Sequence, residues 1–347
     1  MNKDIITGAE QTHVRNSSLE LLRIAAMLMI VIHHFSSRGG FHFPSEIISL
    51  NRLYQQFIFM GGSLGNDIFV IISGYFLVKS SALNFHRLIN LWLRLFFYSV
   101  VIYLVFLFSG MITFDTKTAI EVLMPVISKQ WWFARTYFVL YLIHPYLNIL
   151  IHSFSRDNYK KFLAVIFPAV IFIDVFLKDL SIINFICLYS LAGYIRLWAD
   201  DFGNKKFIWF GILFILLNFL SVIILDILGL TFPFLGQQAT YLCEGMMKPF
   251  TILAALYLFI GFKHLNIKHN RIINLIASAT LGVYLIHAYK LVDSFLWFDL
   301  FRNASFQDSP YLIPYSIAVT FIVYISCTII ELIRSKVFRM LSGSKLS

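Results

Sequence analysis

The chain has 347 residues, 59% hydrophobic and 13% charged, with a mean hydropathy of +0.77. A soluble domain carries about 25% charged residues, so a water-soluble core of this size cannot hold the apolar surface present, and the chain reads as an integral membrane protein. The net charge of +10 is accounted for by loop lysines and arginines on one side of a membrane, without a nucleic-acid partner, and that basic face would attract anionic membrane lipid and a phosphate-bearing cofactor.

A spanning helix needs about 20 mostly apolar residues. Ten such segments are expected, near 19–36, 56–78, 88–111, 133–153, 162–178, 182–198, 207–226, 241–262, 274–296 and 311–333. The fifth and sixth are short enough to be tilted differently or partly re-entrant. The expected fold is thus an all-α integral membrane bundle. The first eighteen residues are polar and lack the apolar stretch of a secretory signal.

The first segment, LRIAAMLMIVIHHF, holds Arg23 and, eleven residues on, His34. At about 100° per residue, eleven steps return to within roughly 20° of the start, so both lie on one face, about 16 Å apart along the axis. Ionisable groups are expensive in a membrane and mark sites by default. A cation at one level and an imidazole at another suit an anionic ligand whose reactive end reaches His34. The structural alternative is that Arg23 snorkels to the headgroups while His34 merely ends a helix. Glu20, three residues before Arg23, can pair with it or serve as a first-turn acid after Ser17 and Ser18. His33 points about 100° away from His34 and reads as structural.

In the second segment Asp67 begins an apolar run and is a candidate cap, and Ser73–Gly74 reads as a small pair for close helix packing. In the third, Arg87 and Arg94 are seven residues apart, nearly two turns, and share a face. Both suit bidentate phosphate binding; anchoring at the membrane edge is the alternative, stronger for Arg87. Trp131 and Trp132 of the fourth sit where an interfacial aromatic belt is expected. Cys187, Cys243 and Cys327 lie singly in apolar segments and read as packing residues. The histidines show no metal-ligand spacing, and no metal is expected.

Lysine and arginine set the orientation. With the N-terminus in the cytoplasm, every expected cytoplasmic segment carries at least three of them: Lys79, Arg87 and Arg94 after the second helix, for example, and Lys263, Lys268 and Arg271 after the eighth. Both termini are therefore expected inside.

Four stretches resemble the membrane acyltransferase-3 family. SLELLRIAAMLMIVIHH is similar to its first-helix signature through Glu20, Arg23 and His34, with glutamate where aspartate is usual. GNDIFVIISGYFL matches through Asp67, Phe69, Ser73 and Gly74; QWWFARTYFVLYLIHPYLN through Trp132, Phe133, Tyr137, Tyr141, Pro145 and Asn148; LGVYLIHAY ends on His287. The four stand in the family's order across roughly residues 17–333. One departure concerns the family's Arg-x-x-Arg pair, since here Asn90 follows Arg87 at that spacing.

The resemblance implies an acyltransferase-3-like membrane domain over 19–333, between a cytoplasmic segment, 1–18, and a basic tail, 334–347. It implies a multi-pass enzyme of a bacterial plasma membrane that moves an acetyl group from cytoplasmic acetyl-CoA to a hydroxyl of a surface or lipid-linked glycan. His34, Arg23 and Glu20 are the expected catalytic group, with His34 as general base or transient acetyl carrier. Arg23, Arg94 and Arg87 are expected to hold the CoA phosphates. Asp67, Trp132, Tyr137, Tyr141 and His287 are expected to shape the substrate cavity, Trp132 against a sugar. A polytopic transporter of glycan or another small polar substrate is the alternative, since buried charges also suit a translocation path. A paired repeat and matched Gly/Pro-broken helices, which would favour it, are not seen in the sequence.

Overall fold

The computed structural model of the chain describes residues 15–45, 47–128, 130–176 and 180–341, and all regular structure among them is helical. Helix α1 (Ser17–Ser37) starts at Asn16, whose side chain accepts from the backbone N–H groups of Ser18 and Leu19 at 3.0 and 3.3 Å. That satisfies donors that a first turn leaves open. Ser17 and Ser18 have a different task from starting the helix. Ser17 Oγ donates to Asn274 Oδ1 at 3.0 Å and accepts from Asn270 N at 2.9 Å, and Ser18 Oγ accepts from Ile267 N at 3.0 Å. They staple a loop 250 residues away onto the foot of α1.

The chain continues through α2 (Leu50–Phe59), α3 (Gly61–Leu77), α4 (Phe85–Phe108), α5 (Thr116–Leu123), α6 (Trp132–Ser153), α7 (Arg156–Phe176), α8 (Ser181–Trp198), α9 (Phe207–Gly229), α10 (Pro233–Gln237) and α11 (Pro249–Lys263). Then come α12 (Arg271–Ser278), α13 (Thr280–His287), α14 (Lys290–Ser294), a π-helical turn at Phe295–Leu300, a 3-10 turn at Asn303–Phe306 and α15 (Leu312–Leu341).

Each of the ten expected segments carries helix, but six stretches among the described residues are long and apolar enough by themselves to cross a membrane, or seven with one bent pair. The six are α1, α2 with α3 (28 residues from Leu50 to Leu77), α4, α8, α9 and α15. The remaining segments depart from expectation for identifiable reasons. Helices α6 and α7 are long, but polar groups and a proline interrupt their apolar runs: His144, Pro145 and Asn148 in one, Pro168 and Asp174 in the other. The expected helix over 241–262 starts only at Pro249, which fits the first helical turn because it has no N–H to lose. The residues before it are turns, with Met247 in the left-handed region at φ 62°. The segment over 274–296 is split into α12, α13 and α14, and its two halves, Arg271–His287 and Lys290–Phe306, meet at 79°. The fifth segment is longer than expected, 21 residues from Arg156. Helix α15 runs on to Leu341, so the first part of the expected basic tail is helical; residues 1–14 and 342–347 lie outside the described residues.

Helix α1 is the hub. It packs against α2, α3, α11, α12, α13 and α15, which places the Arg23–His34 face inside the bundle. Small residues allow the closest crossing. A side-chain carbon built on Gly65 would stand 2.7 Å from the Ala26 carbonyl, and one on Gly61 2.7 Å from that of Met29, so α1 and α3 touch backbone to backbone. Gly74 does the same on the other face of α3, where an added carbon would meet Tyr189 and Ala192 of α8 at 3.0 Å. The three cysteines are buried and unpaired.

A polar latch ties together the ends of α3, α8 and α11. Arg196 donates to the Tyr75 hydroxyl at 2.6 Å and to Asp200 Oδ2 at 2.7 Å, and Lys263 Nζ donates to Asp200 Oδ1 at 3.0 Å. Burial works against ionisation of Asp200. Hydrogen bonds from Tyr75 and Lys263, with the charges of Lys263 and Arg196, outweigh it and hold the carboxyl below its ordinary range.

Candidate active site

A cavity of about 980 Å³ opens beside α1 at the Arg23 end. Its wall carries Arg15, Arg23, Arg94, Arg271 and Arg339, with His269 beside them, against one carboxylate among the described lining residues, Glu20. Such a concentration of guanidinium groups draws a polyanion and binds phosphate oxygens bidentately. Deeper in, the wall becomes mixed and then apolar, through Ser73 and Tyr137 to Phe69, Phe133, Ile30 and Tyr284.

Just beyond that deep wall sit two histidines. His34 follows Ile30 by one turn of α1, and His287 follows Tyr284 on α13, the Tyr284 and His287 rings standing 6.3 Å apart between centroids. His34 Nδ1 and His287 Nε2 are 2.9 Å apart, and His287 Nδ1 is 2.6 Å from the carbonyl oxygen of Val283. Both rings are buried, 6% and 0% exposed. A carbonyl only accepts, so His287 Nδ1 carries a proton. In neutral His287 the other nitrogen, Nε2, then accepts, and His34 Nδ1–H is the donor. This chain of hydrogen bonds leaves His34 with its lone pair on Nε2, the working form of a general base or nucleophile. It resembles the way a fixed acceptor sets the tautomer of a catalytic histidine in hydrolases. His33, one residue earlier, points elsewhere and donates from Nδ1 to the Phe59 carbonyl at 2.5 Å, a structural role as expected.

Glu20 and Arg23 pair at 2.9 Å, with the guanidinium over the Phe76 ring at 5.9 Å. The pair holds Arg23 toward the cavity while 28% of its side chain stays exposed. Arg94 is held from behind by Glu331 of α15, Nη1 to Oε1 at 3.7 Å. Glu331 also takes a forked pair of hydrogen bonds from Arg334, at 2.8 and 2.6 Å, and one from the Tyr98 hydroxyl. Replacing Gly282 by anything larger would press on the Glu331 side chain, so α13 and α15 close around this carboxylate.

The other sequence candidates divide. Tyr137 lines the cavity. Arg87 is exposed, two turns out along α4 from Arg94, and is not on the wall. Tyr141 is buried, its hydroxyl reaching the Asn84 carbonyl at 3.5 Å. Trp132 packs on Phe133 and Phe185 rather than facing the cavity. Trp131 is 1% exposed and meets Tyr289 edge to face, so it is a core residue and not part of an interfacial belt. Asp67 is no cap, because α3 starts six residues earlier; it is fully buried, with both carboxyl oxygens unpartnered. Asn148 bonds the carbonyls of Leu77 and Ser80, both at 2.8 Å, and accepts from Tyr189, which fixes the end of α3. Among the described residues no group of three or more His, Cys, Asp or Glu side chains gathers as metal ligands.

Compared with known proteins, residues 16–331 match a family model described as an acyltransferase domain. No curated protein and no solved structure matches the chain.

Proposed function

The chain belongs to the membrane acyltransferase-3 family, a multi-pass membrane acyltransferase, and we propose that it moves an acetyl group from cytoplasmic acetyl-CoA to a hydroxyl of a surface or lipid-linked glycan. The observation that carries this reading is the buried His34–His287 pair directly behind a cavity lined by five arginines. In this reading ten helical segments cross the membrane with both termini inside. The arginine-lined cavity then faces the cytoplasm, and the end of α1 beyond His34 faces out.

The donor phosphates lie among Arg23, Arg94, Arg271 and their neighbours. The pantetheine arm follows the face of α1 from Arg23 toward His34, about 16 Å along the helix, and brings the thioester to the deep apolar wall. His34 Nε2 takes the proton of the acceptor hydroxyl as its oxygen attacks the thioester carbonyl. The C–O bond forms, the C–S bond breaks, and the imidazolium returns the proton to the departing CoA thiolate. His287, backed by Val283, keeps His34 in the productive tautomer and stabilises its charged form, while apolar packing excludes water that would hydrolyse the thioester.

Purified protein given acetyl-CoA with a labelled acetyl group, with and without glycan, tests the proposal. It requires acceptor-dependent release of CoA and label in the glycan. A transporter releases no CoA.

A further inference from the structure

A second cavity, of about 470 Å³, lies at the opposite end of α1 from the arginines. Ser36 and Ser37 from the last turn of α1, Phe41 and Phe43 from the following loop, and Gln55 and Phe59 of α2 line it. Its electrostatics are unlike those of the first. Among the described lining residues Arg52 is the charged one, and it is spent inside the wall. It pairs with Asp226 of α9, the two side chains being 5% and 0% exposed, and donates to the carbonyls of Pro44 and Ile47 at 2.7 and 3.1 Å. A guanidinium so neutralised offers little to an anion.

What this wall does offer is hydroxyl chemistry. Gln55 is 4% exposed, and neither its amide nitrogen nor its amide oxygen has a hydrogen-bond partner. Gln56 beside it donates to Asp226 Oδ1 at 3.2 Å and keeps its oxygen unpartnered. Buried amides left unpaired are rare and ask for a reason. A primary amide both donates and accepts, as a sugar hydroxyl does. Phe41 and Phe43 stack at 6.1 Å with ring planes 15° apart, giving an apolar face next to the amides. A few placed polar groups beside aromatic surface is the usual make-up of a small-molecule site.

The cavity stops short of the catalytic pair, with one histidine in between. Phe59, on its wall, accepts from His33, whose ring stands 5.5 Å from that of His34. The His33–Phe59 contact is thus the partition between this cavity and the base.

We infer that this cavity is the acceptor site and takes an uncharged carbohydrate, with Gln55 reading its hydroxyls and Phe43 carrying the face of a ring. The inference rests on the acyl-transfer reading and adds to it where the acceptor binds. A site built to hydrogen-bond hydroxyls loses binding sharply when its polar partner is removed.

The test uses the full chain in detergent, acetyl-CoA labelled in its acetyl group, and one acceptor probe. That probe is the polysaccharide fraction from the envelope of cells that make the protein, stripped of its esters by mild base. Gln55→Ala and Phe43→Ala should each raise the KM for polysaccharide at least tenfold and leave the KM for acetyl-CoA within twofold. An unchanged polysaccharide KM in both variants overturns the inference, as does an equal rise in both constants. Should Gln55→Ala fail to accumulate in the membrane, Phe43→Ala, a half-buried loop residue, decides alone. Wild-type protein that labels no carbohydrate overturns the acyl-transfer reading itself, and the acceptor site with it.

Discussion

The two cavities at either end of α1 are opposites in charge. The inner one gathers five arginines; among the described residues Glu20 pairs with Arg23, and Glu331 stands behind Arg94 while also binding Arg334. The outer one has a single arginine in its described wall and buries it against Asp226. The same side chain therefore does two jobs. Where a guanidinium stays partly exposed beside a cavity, 28% for Arg23 and 29% for Arg94, it is free to engage a phosphate. Where it is sealed against a carboxylate it is architecture, and removing one partner strands the other charge. Helix α1 thus runs from an arginine-lined cavity to one whose described wall buries its arginine, with the histidine pair at a level between them.

The largest effect is expected at that midpoint. His34→Ala should lower acetyl transfer by about 10²–10⁴-fold, the usual range for a general base, with membrane insertion and acetyl-CoA affinity retained. Transfer at more than a tenth of the wild-type rate would remove His34 from the chemistry. His33→Ala should be far milder. Next in size is His287→Ala. It frees His34 to take either tautomer and should lower kcat by about tenfold to a hundredfold, with both KM values little changed. His287→Gln, whose amide oxygen can still accept from His34 Nδ1–H, should recover part of the loss. Equal loss in both variants would leave His287 with a packing role alone.

The charge contrast itself is sharpened by the arginines. Arg23→Lys keeps the charge and loses the planar fork, so the KM for acetyl-CoA should rise about tenfold, equivalent to about 1.4 kcal/mol, with kcat largely recovered at high donor. Arg87→Ala, off the wall, should change it less than twofold. An Arg87 effect as large as that of Arg23 would mean that the donor lies further out along α4 than the cavity does.

The smallest effect belongs to the latch at Asp200, which lines neither cavity. Its carboxyl is held below the ordinary range when folded. The stability it adds is therefore present above the unfolded value, about 3.9, and is lost as pH falls through the lower folded value. Thermal unfolding in detergent between pH 7 and pH 3 should show wild type losing that increment, and Asp200→Asn should lack it at every pH. An identical pH dependence in the two proteins would show that the latch adds nothing.

Much of the inner site was legible because it is local in the chain. The eleven-residue step from Arg23 to His34 puts both on one helix face whatever surrounds them, and Tyr137 stood in a motif. What was missed needed tertiary contact. In the sequence Arg271 is one of the positive-inside residues and Arg339 falls in the basic tail, and nothing local separates an anchor from a cavity wall. Arg94 was foreseen, but its partner Glu331 lies 237 residues away; a glutamate deep in the apolar run of α15 was the one available hint. His287 was placed near the substrate, yet its bond to His34 spans 253 residues. The helix boundary at Pro249 was signalled by Glu244, Gly245 and Pro249 themselves, whose turn chemistry outweighs the apolarity around them. The bend between α13 and α14 had no such signal, since neither Gly nor Pro occurs at Ala288 and Tyr289.

The most direct test of the arrangement separates donor and acceptor across a membrane. Protein is inserted in one orientation in sealed vesicles, with the side carrying Arg271 identified by protease protection. Labelled acetyl-CoA is then placed on one side and de-esterified polysaccharide on either side. Labelled ester should form when the donor is on the Arg271 side and the polysaccharide on the Phe43 side, and in no other combination. Ester formation with both substrates on one side would contradict the placing of His34 between two opposed cavities.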